Sequence, residues 1–242
     1  MAKEIYVLVH GAWMGKFCWA EVVPRLEALG NTVLTVDLPA HGDDPTPLEN
    51  ASSEGYRDAV LALIGDRDNI TLVGHSMAGM VISAVAEAIP AQLKALVYLC
   101  AYLPRNGESL YQLSMEDKQS LAGKFWRQEH PENYSPAWIA SDGIVEVFGA
   151  DCPPQYQELL MKRHRPEPVP PFATPVALTE AQYGRVPRYY IETLADRTVS
   201  HQLQTLMLSR VSVQQRFQLA SSHCPFFSMP DQLVAYLTKL SG

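Results

Sequence analysis

Two kinds of pattern alternate along this chain. Short strand-like runs recur at Ile5–Val9, Thr32–Asp37, Ile70–Val73, Leu93–Cys100, Arg188–Glu192 and Gln214–Leu219, the first four of them mostly apolar. Short apolar runs of that length predict strands of a sheet covered on both faces. Between them lie stretches with helical spacing, predicted near residues 17–29, 53–64, 77–89, 200–208 and 231–240. Gly30 follows the first helix as a stop, and Ser53 opens the second as its expected N-cap. The helix after Ser76 is apolar almost all round, which predicts a buried position. Strands alternating with helices specify a mostly parallel, doubly wound sheet covered on both faces, the α/β class.

The alternation stops between residues 104 and 183. Aromatic residues crowd this stretch (Tyr111, Phe125, Trp126, Tyr134, Trp138, Phe148, Tyr156), and it ends among Pro166, Pro168, Pro170, Pro171 and Pro175. It is read as an inserted, mainly helical cap. Residues 1–103 and 184–242 then form the α/β core.

Composition narrows the function. Of 242 residues, 47% are apolar and 19% charged, values of an ordinary globular protein. A net charge of −7 argues against a nucleic-acid partner, which needs clustered Lys and Arg. The one basic run, Lys162 to Arg165, reads as a solvated face. No stretch approaches the ~18 apolar residues of a membrane span, and the N-terminal run is too short for a signal sequence. The four cysteines show no CxxC spacing. The expectation is a cytoplasmic protein without disulfides, metal or cofactor, with Cys18 and Cys100 as core residues. A Cys–His metal pair at Cys224 and His223 finds no further ligands at zinc-site spacing. A homodimer stays open.

The ends of the strands carry the chemistry, and ligands of open parallel sheets bind at those carboxyl ends. Ser76 lies between a strand and a helix in Gly74-His75-Ser76-Met77-Ala78-Gly79. This is close to the G-x-S-x-G elbow of serine nucleophiles, with Ala78 at the second small position. A serine hydroxyl needs a base, a group to orient that base, and donors for the oxyanion. Met77 N–H opens a helix and is one expected donor. Ala12 N–H, in the loop His10-Gly11-Ala12-Trp13, is the other. Serines on such elbows are followed in the chain by Asp or Glu and then His. His10, His41 and His75 precede or abut the serine, His130 and His164 fall in the cap, and His201 opens a helix. His223, just after the last strand, is the expected base. Asp196 is the expected acid, with Glu192 as fallback. Asp37 reads as structural.

The motifs Val7-Leu8-Val9-His10-Gly11-Ala12-Trp13, Asp37-Leu38-Pro39-Ala40-His41-Gly42, Gly74-His75-Ser76-Met77 and Ser222-His223-Cys224-Pro225-Phe226-Phe227 resemble the α/β-hydrolase branch of plant methyl esterases, hydroxynitrile lyases and bacterial pyrethroid hydrolases. Pro187 to Glu192 and Phe226 to Pro230 are similar to the pyrethroid-hydrolase type of carboxylesterase. The resemblance implies a triad of Ser76, Asp196 and His223 and a small hydrophobic ester as substrate. The expected pocket takes in Gly11, Trp13, Trp126, Trp138, Phe148 and Cys224. Lyases similar to the rubber-tree type place Thr and Lys where this chain has Gly11 and Cys224, which disfavours cyanohydrin chemistry. A non-catalytic small-ligand sensor is the alternative from another class.

Overall fold

The six runs form one parallel sheet in the computed structural model, which describes residues 3–240; Met1 and Ala2, at the start of the N-terminal stretch considered above, and Ser241 and Gly242 lie outside them. The strands are Ile5–Val9 (β1), Thr32–Val36 (β2), Ile70–His75 (β3), Leu93–Leu99 (β4), Arg188–Thr193 (β7) and Gln215–Leu219 (β8), in the order β2-β1-β3-β4-β7-β8. The chain steps from β1 outward to β2 and then returns to the other side of β1 with β3. That reversal opens a crevice at the carboxyl ends of β1 and β3. Val9 pairs with Gly74 there, so the loop beginning at His10 lies beside His75 and Ser76. At the far side Thr193 pairs with Leu219, which brings the loops after β7 and β8 together.

The core helices are Val22–Ala28 (α1), Ser53–Ile64 (α2), Ala78–Ala88 (α3), His201–Arg210 (α9) and Pro230–Lys239 (α11). Val60 and Ile64 of α2, Ile82 and Val85 of α3 and Leu233 and Leu237 of α11 are fully buried. Besides shifts of one or two residues at several element ends, two helix starts differ from expectation. The helix expected over 17–29 is split into a 3-10 turn at Lys16–Trp19 and α1. Pro24 has no N–H to return to the carbonyl of Ala20, and its ring would crowd that carbonyl, so one continuous helix cannot form. The N-cap of α2 is Ser52, whose Oγ accepts from Gly55 N–H at 3.0 Å; Ser53 is already helical.

Between β4 and β7 the chain leaves the sheet. It forms Leu110–Glu116 (α4), Ala122–Phe125 (α5), Ile144–Phe148 (α6), Pro154–Arg163 (α7) and Pro170–Ala173 (α8). It also holds an antiparallel pair, Trp126–Gln128 (β5) with Ala137–Ile139 (β6), in a segment expected to be mainly helical. The helix Pro225–Ser228 (α10) follows β8. The basic run at 162–165 is not a solvated face. Arg163 pairs with Asp43 at 2.8 Å, Arg165 donates to the Gly42 carbonyl at 2.6 Å, and the His164 ring stacks on Trp13 with 6.4 Å between centroids. The run ties the interruption to the loop after β2. Among the described residues no helix is long and apolar enough to cross a membrane.

Candidate active site

Ser76 is the first residue after β3 and has φ of +55°, a left-handed conformation that costs a non-glycine residue about 1 kcal/mol or more. The sequence makes the turn possible through small neighbours. A Cβ at Gly74 would stand 2.8 Å from the Ala78 carbonyl oxygen, and one at Gly11 would stand 2.8 Å from both Ser76 Cβ and His75 Nδ1. Strand, turn and α3 therefore close tightly enough to aim Ser76 away from the sheet. Ala12, Met77 and Ser76 together line a cavity of about 780 Å³. Among the described residues, neither Ala12 N–H nor Met77 N–H donates to a protein acceptor. Two unspent donors thus stand beside the serine.

His223 and Asp196 meet across the β7 and β8 loops. His223 Nδ1 lies 2.8 Å from Asp196 Oδ2, with both residues buried. The same Oδ2 accepts from Thr193 Oγ1 at 2.8 Å, and Oδ1 accepts from the N–H groups of Thr198 and Val199 at 2.8 and 3.0 Å. Asp196 is thereby held as an acceptor on both oxygens, which fixes the proton on His223 Nδ1 and leaves Nε2 as the basic atom. His75 ties the base to the elbow: its Nε2 donates to the His223 carbonyl at 2.9 Å, and the two rings lie 4.5 Å apart. Burial holds the His75 pKa well below the usual histidine range, and the His223 ring lowers it further. His75 is therefore a neutral spacer. Glu192 is engaged elsewhere, with Arg216 at 2.7 Å and His201 at 3.1 Å. Asp37 accepts from Lys16 N–H and Asp43 N–H and shapes the loop after β2.

His75, Cys100 and His223 come close enough to suggest a metal site, with one ligand atom from each within 4.8 Å of the others. Part of this set is already committed, although His75 Nδ1 has no hydrogen-bond partner among the described residues. His75 Nε2 and the Cys100 thiol both point at the His223 carbonyl, and His223 Nδ1 serves Asp196. Burial pushes the Cys100 thiol well above its ordinary pKa, which opposes the thiolate a metal needs.

The cavity wall corrects the expected pocket. Trp13 and Trp126 line it, with Tyr102, Leu110, Phe172 and Thr198 beyond the expected set. Gly11, Trp138, Phe148 and Cys224 are not among the lining residues. Gly11 is pressed beneath Ser76 and His75. Trp138 alternates out of β6 while its neighbours Ala137 and Ile139 face inward. Phe148 stands one layer back, between Trp13 at 5.7 Å and His223 at 6.0 Å. Cys224 is fully buried, and its carbonyl receives the Cys152 thiol at 3.7 Å.

One buried residue was invisible to the sequence reading. Glu167, wholly buried, accepts from Trp13 N–H at 2.6 Å and from His41 Nε2 at 2.8 Å on the same oxygen. The available signal was its setting: it is the only acidic residue between Glu158 and Glu180, and it sits between two prolines.

Comparison with known proteins gives the family of this fold. Methylesterase 3 of Arabidopsis thaliana is 28% identical over 254 residues, spanning 99% of this chain and 97% of its own. The crystal structure of a pyrethroid hydrolase from Sphingobium faniae JZ-2 superposes with a TM-score of 0.89 at 26% identity, covering 99% of this chain and 98% of that one. Polyneuridine aldehyde esterase gives a TM-score of 0.90 at 24% identity with full coverage of both chains, a likeness of fold. The model of the alpha/beta hydrolase family matches residues 6–236, and the chain belongs to that family.

Proposed function

We propose that this chain is a serine carboxylesterase that cleaves a hydrophobic ester through an acyl-enzyme on Ser76. The observation that carries the reading is the buried 2.8 Å contact of His223 Nδ1 with Asp196, tied through His75 to a serine held at φ +55° that lines the cavity. Ser76 Oγ attacks the ester carbonyl as His223 Nε2 takes its proton. Asp196 stabilises the imidazolium that forms. The carbonyl oxygen, now an anion, is received by Ala12 and Met77 N–H. His223 returns the proton to the leaving alkoxide, and the alcohol departs. Water activated by the same nitrogen then releases the acid. Every step uses groups of this chain.

The cavity walls favour an apolar substrate. Trp13, Trp126, Tyr102, Leu110 and Phe172 line them, with polar groups such as Asp117, Lys118 and Gln128 among the rest. A volume of about 780 Å³ is that of a drug-sized ligand site, larger than a simple acetate ester requires. Methyl and aryl esters of bulky acids both suit it. The pyrethroid hydrolase and the methylesterase among the similar proteins support this class. The four thiols, Cys18, Cys100, Cys152 and Cys224, are all buried and free, which suits a cytoplasmic setting.

The test is hydrolysis of a short-chain p-nitrophenyl ester near pH 7 by the wild type and by Ser76→Ala. Turnover by the wild type and a loss of several orders of magnitude in kcat by the variant are expected. Equal turnover by the two proteins rejects the reading.

A further inference from the structure

We propose that Glu167 and His41 are positioning residues for the oxyanion hole: the carboxylate of Glu167 grips Trp13 N–H and thereby aims the neighbouring Ala12 N–H at the reacting oxygen. This rests on the esterase reading above.

Three separate segments meet at one carboxylate oxygen. Trp13 belongs to the loop after β1, His41 to the loop after β2, and Glu167 to the segment between β4 and β7. Trp13 has φ of +60°, a conformation a bulky residue holds only when its surroundings impose it. Those surroundings are visible. Its N–H donates to Glu167 Oε2 at 2.6 Å and its indole Nε1 donates to the Ala137 carbonyl at 3.1 Å. Ala137 and Glu167 are themselves joined by two backbone hydrogen bonds, at 2.9 and 2.7 Å. The strained residue next to Ala12 is thus bolted by side chain and backbone to one short ladder.

A merely structural role explains the carboxylate poorly. Glu167 is wholly buried and its Oε1 has no hydrogen-bond partner among the described residues. A half-satisfied buried charge is worse for stability than an apolar side chain of the same size. Its use lies in what it holds. His41 supplies the countercharge: its Nδ1 faces the Pro39 carbonyl at 3.0 Å and its Nε2 faces Glu167, so both ring nitrogens meet acceptors and both carry protons. The neighbouring groups fit an imidazolium. The His10 ring, 5.1 Å away, donates from Nδ1 to the Gly11 carbonyl and accepts Leu38 N–H on Nε2, so it is neutral. Tyr56 lies 5.4 Å away on the other side; the charge of Asp44 acts in favour of the imidazolium and that of Arg165 against it. The grip also consumes Trp13 N–H, which leaves Ala12 N–H as the unspent donor of this turn.

The experiment compares wild type, Glu167→Met, Glu167→Gln and His41→Leu on the p-nitrophenyl ester. Inhibition by a trifluoromethyl ketone, which forms a tetrahedral oxyanion on Ser76, is measured beside it. Removing one oxyanion donor outright costs about 10²–10³ in kcat, so a misaimed donor is expected to cost roughly 10- to 100-fold. Glu167→Met should show that loss in kcat with KM within about threefold, and a matching loss of ketone affinity. Glu167→Gln keeps an oxygen for Trp13 N–H and should recover most of both. His41→Leu should lose kcat at constant KM, because the carboxylate it leaves unpaired no longer holds its place. Folded Glu167→Met and His41→Leu proteins with wild-type kcat and ketone affinity overturn the proposal, as does a lowered Tm without either kinetic change. If Glu167→Met does not fold, His41→Leu decides by the same two readouts. A wild type that neither hydrolyses the ester nor binds the ketone rejects the esterase reading itself, a different outcome from either.

Discussion

Asp196 shows how much of the site's work is done by hydrogen-bond direction. Its two oxygens accept from a ring nitrogen, a hydroxyl and two backbone N–H groups. An asparagine there would present an amide N–H to His223 or to the two backbone donors, and the imidazole would turn its wrong face to Ser76. Asp196→Asn is therefore expected to lower kcat by about four orders of magnitude with little change in KM, measured on the p-nitrophenyl ester with circular dichroism to confirm folding. A loss of less than tenfold would mean that another group orients the base. Chain order and strand ends single out Ser76, His223 and Asp196 in the sequence, and the structure brings the last two into contact. Glu167 was not legible there, since nothing local announces that a carboxylate between Pro166 and Pro168 reaches Trp13, which is 154 residues away.

Elements obey the same division between local and distant causes. The central strands were legible because buried parallel strands write themselves as apolar runs; the edge strand Gln215–Leu219 is largely exposed and departs from its expected range by one residue. The interruption between β4 and β7 was not legible. Its helices α5 and α8 have four residues each and its strands β5 and β6 three, too short for any periodicity to register. The start of α2 is a finer case, where two serines stand side by side. Ser52 is extended and its Oγ takes Gly55 N–H, while Ser53 Oγ makes a long 3.3 Å contact with the Pro171 carbonyl. Ser52→Ala is expected to cost about 1 kcal/mol of stability, and Ser53→Ala only a few tenths. Urea melts of the two variants decide between the frames, and the opposite ranking would return the cap to Ser53.

Whole-molecule stability should follow the buried imidazoles. Burial holds His10 at a pKa of about 3, with the His41 charge adding to the shift, and burial alone holds His164 at about 4. Unfolded histidines titrate near 6.5, so below that pH the unfolded chain binds protons that these folded rings refuse. Their contribution is complete above pH 6.5 and is lost progressively as pH falls toward 4 and then 3. His41, raised by its carboxylate partner although burial opposes this, acts in the other direction and loses its contribution only on the alkaline side. The Tm is expected to fall between pH 6.5 and 4.5, a window above the carboxylate range, with the fall reduced in His164→Phe. A flat Tm across that window would contradict the neutral state of both rings. The packing under Ser76 also orders the molecule's possible histories. A side chain at position 11 would collide with Ser76 Cβ and His75 Nδ1, each at 2.8 Å. A threonine, as in lyases that resemble the rubber-tree type, cannot enter there while Ser76 and His75 keep these places. A route from this hydrolase toward cyanohydrin cleavage must therefore shift the elbow itself, Ser76 Cβ included, before position 11 can be filled. Filling position 11 alone passes through an intermediate with a broken elbow, so selection would see that substitution as epistatic with the packing around it.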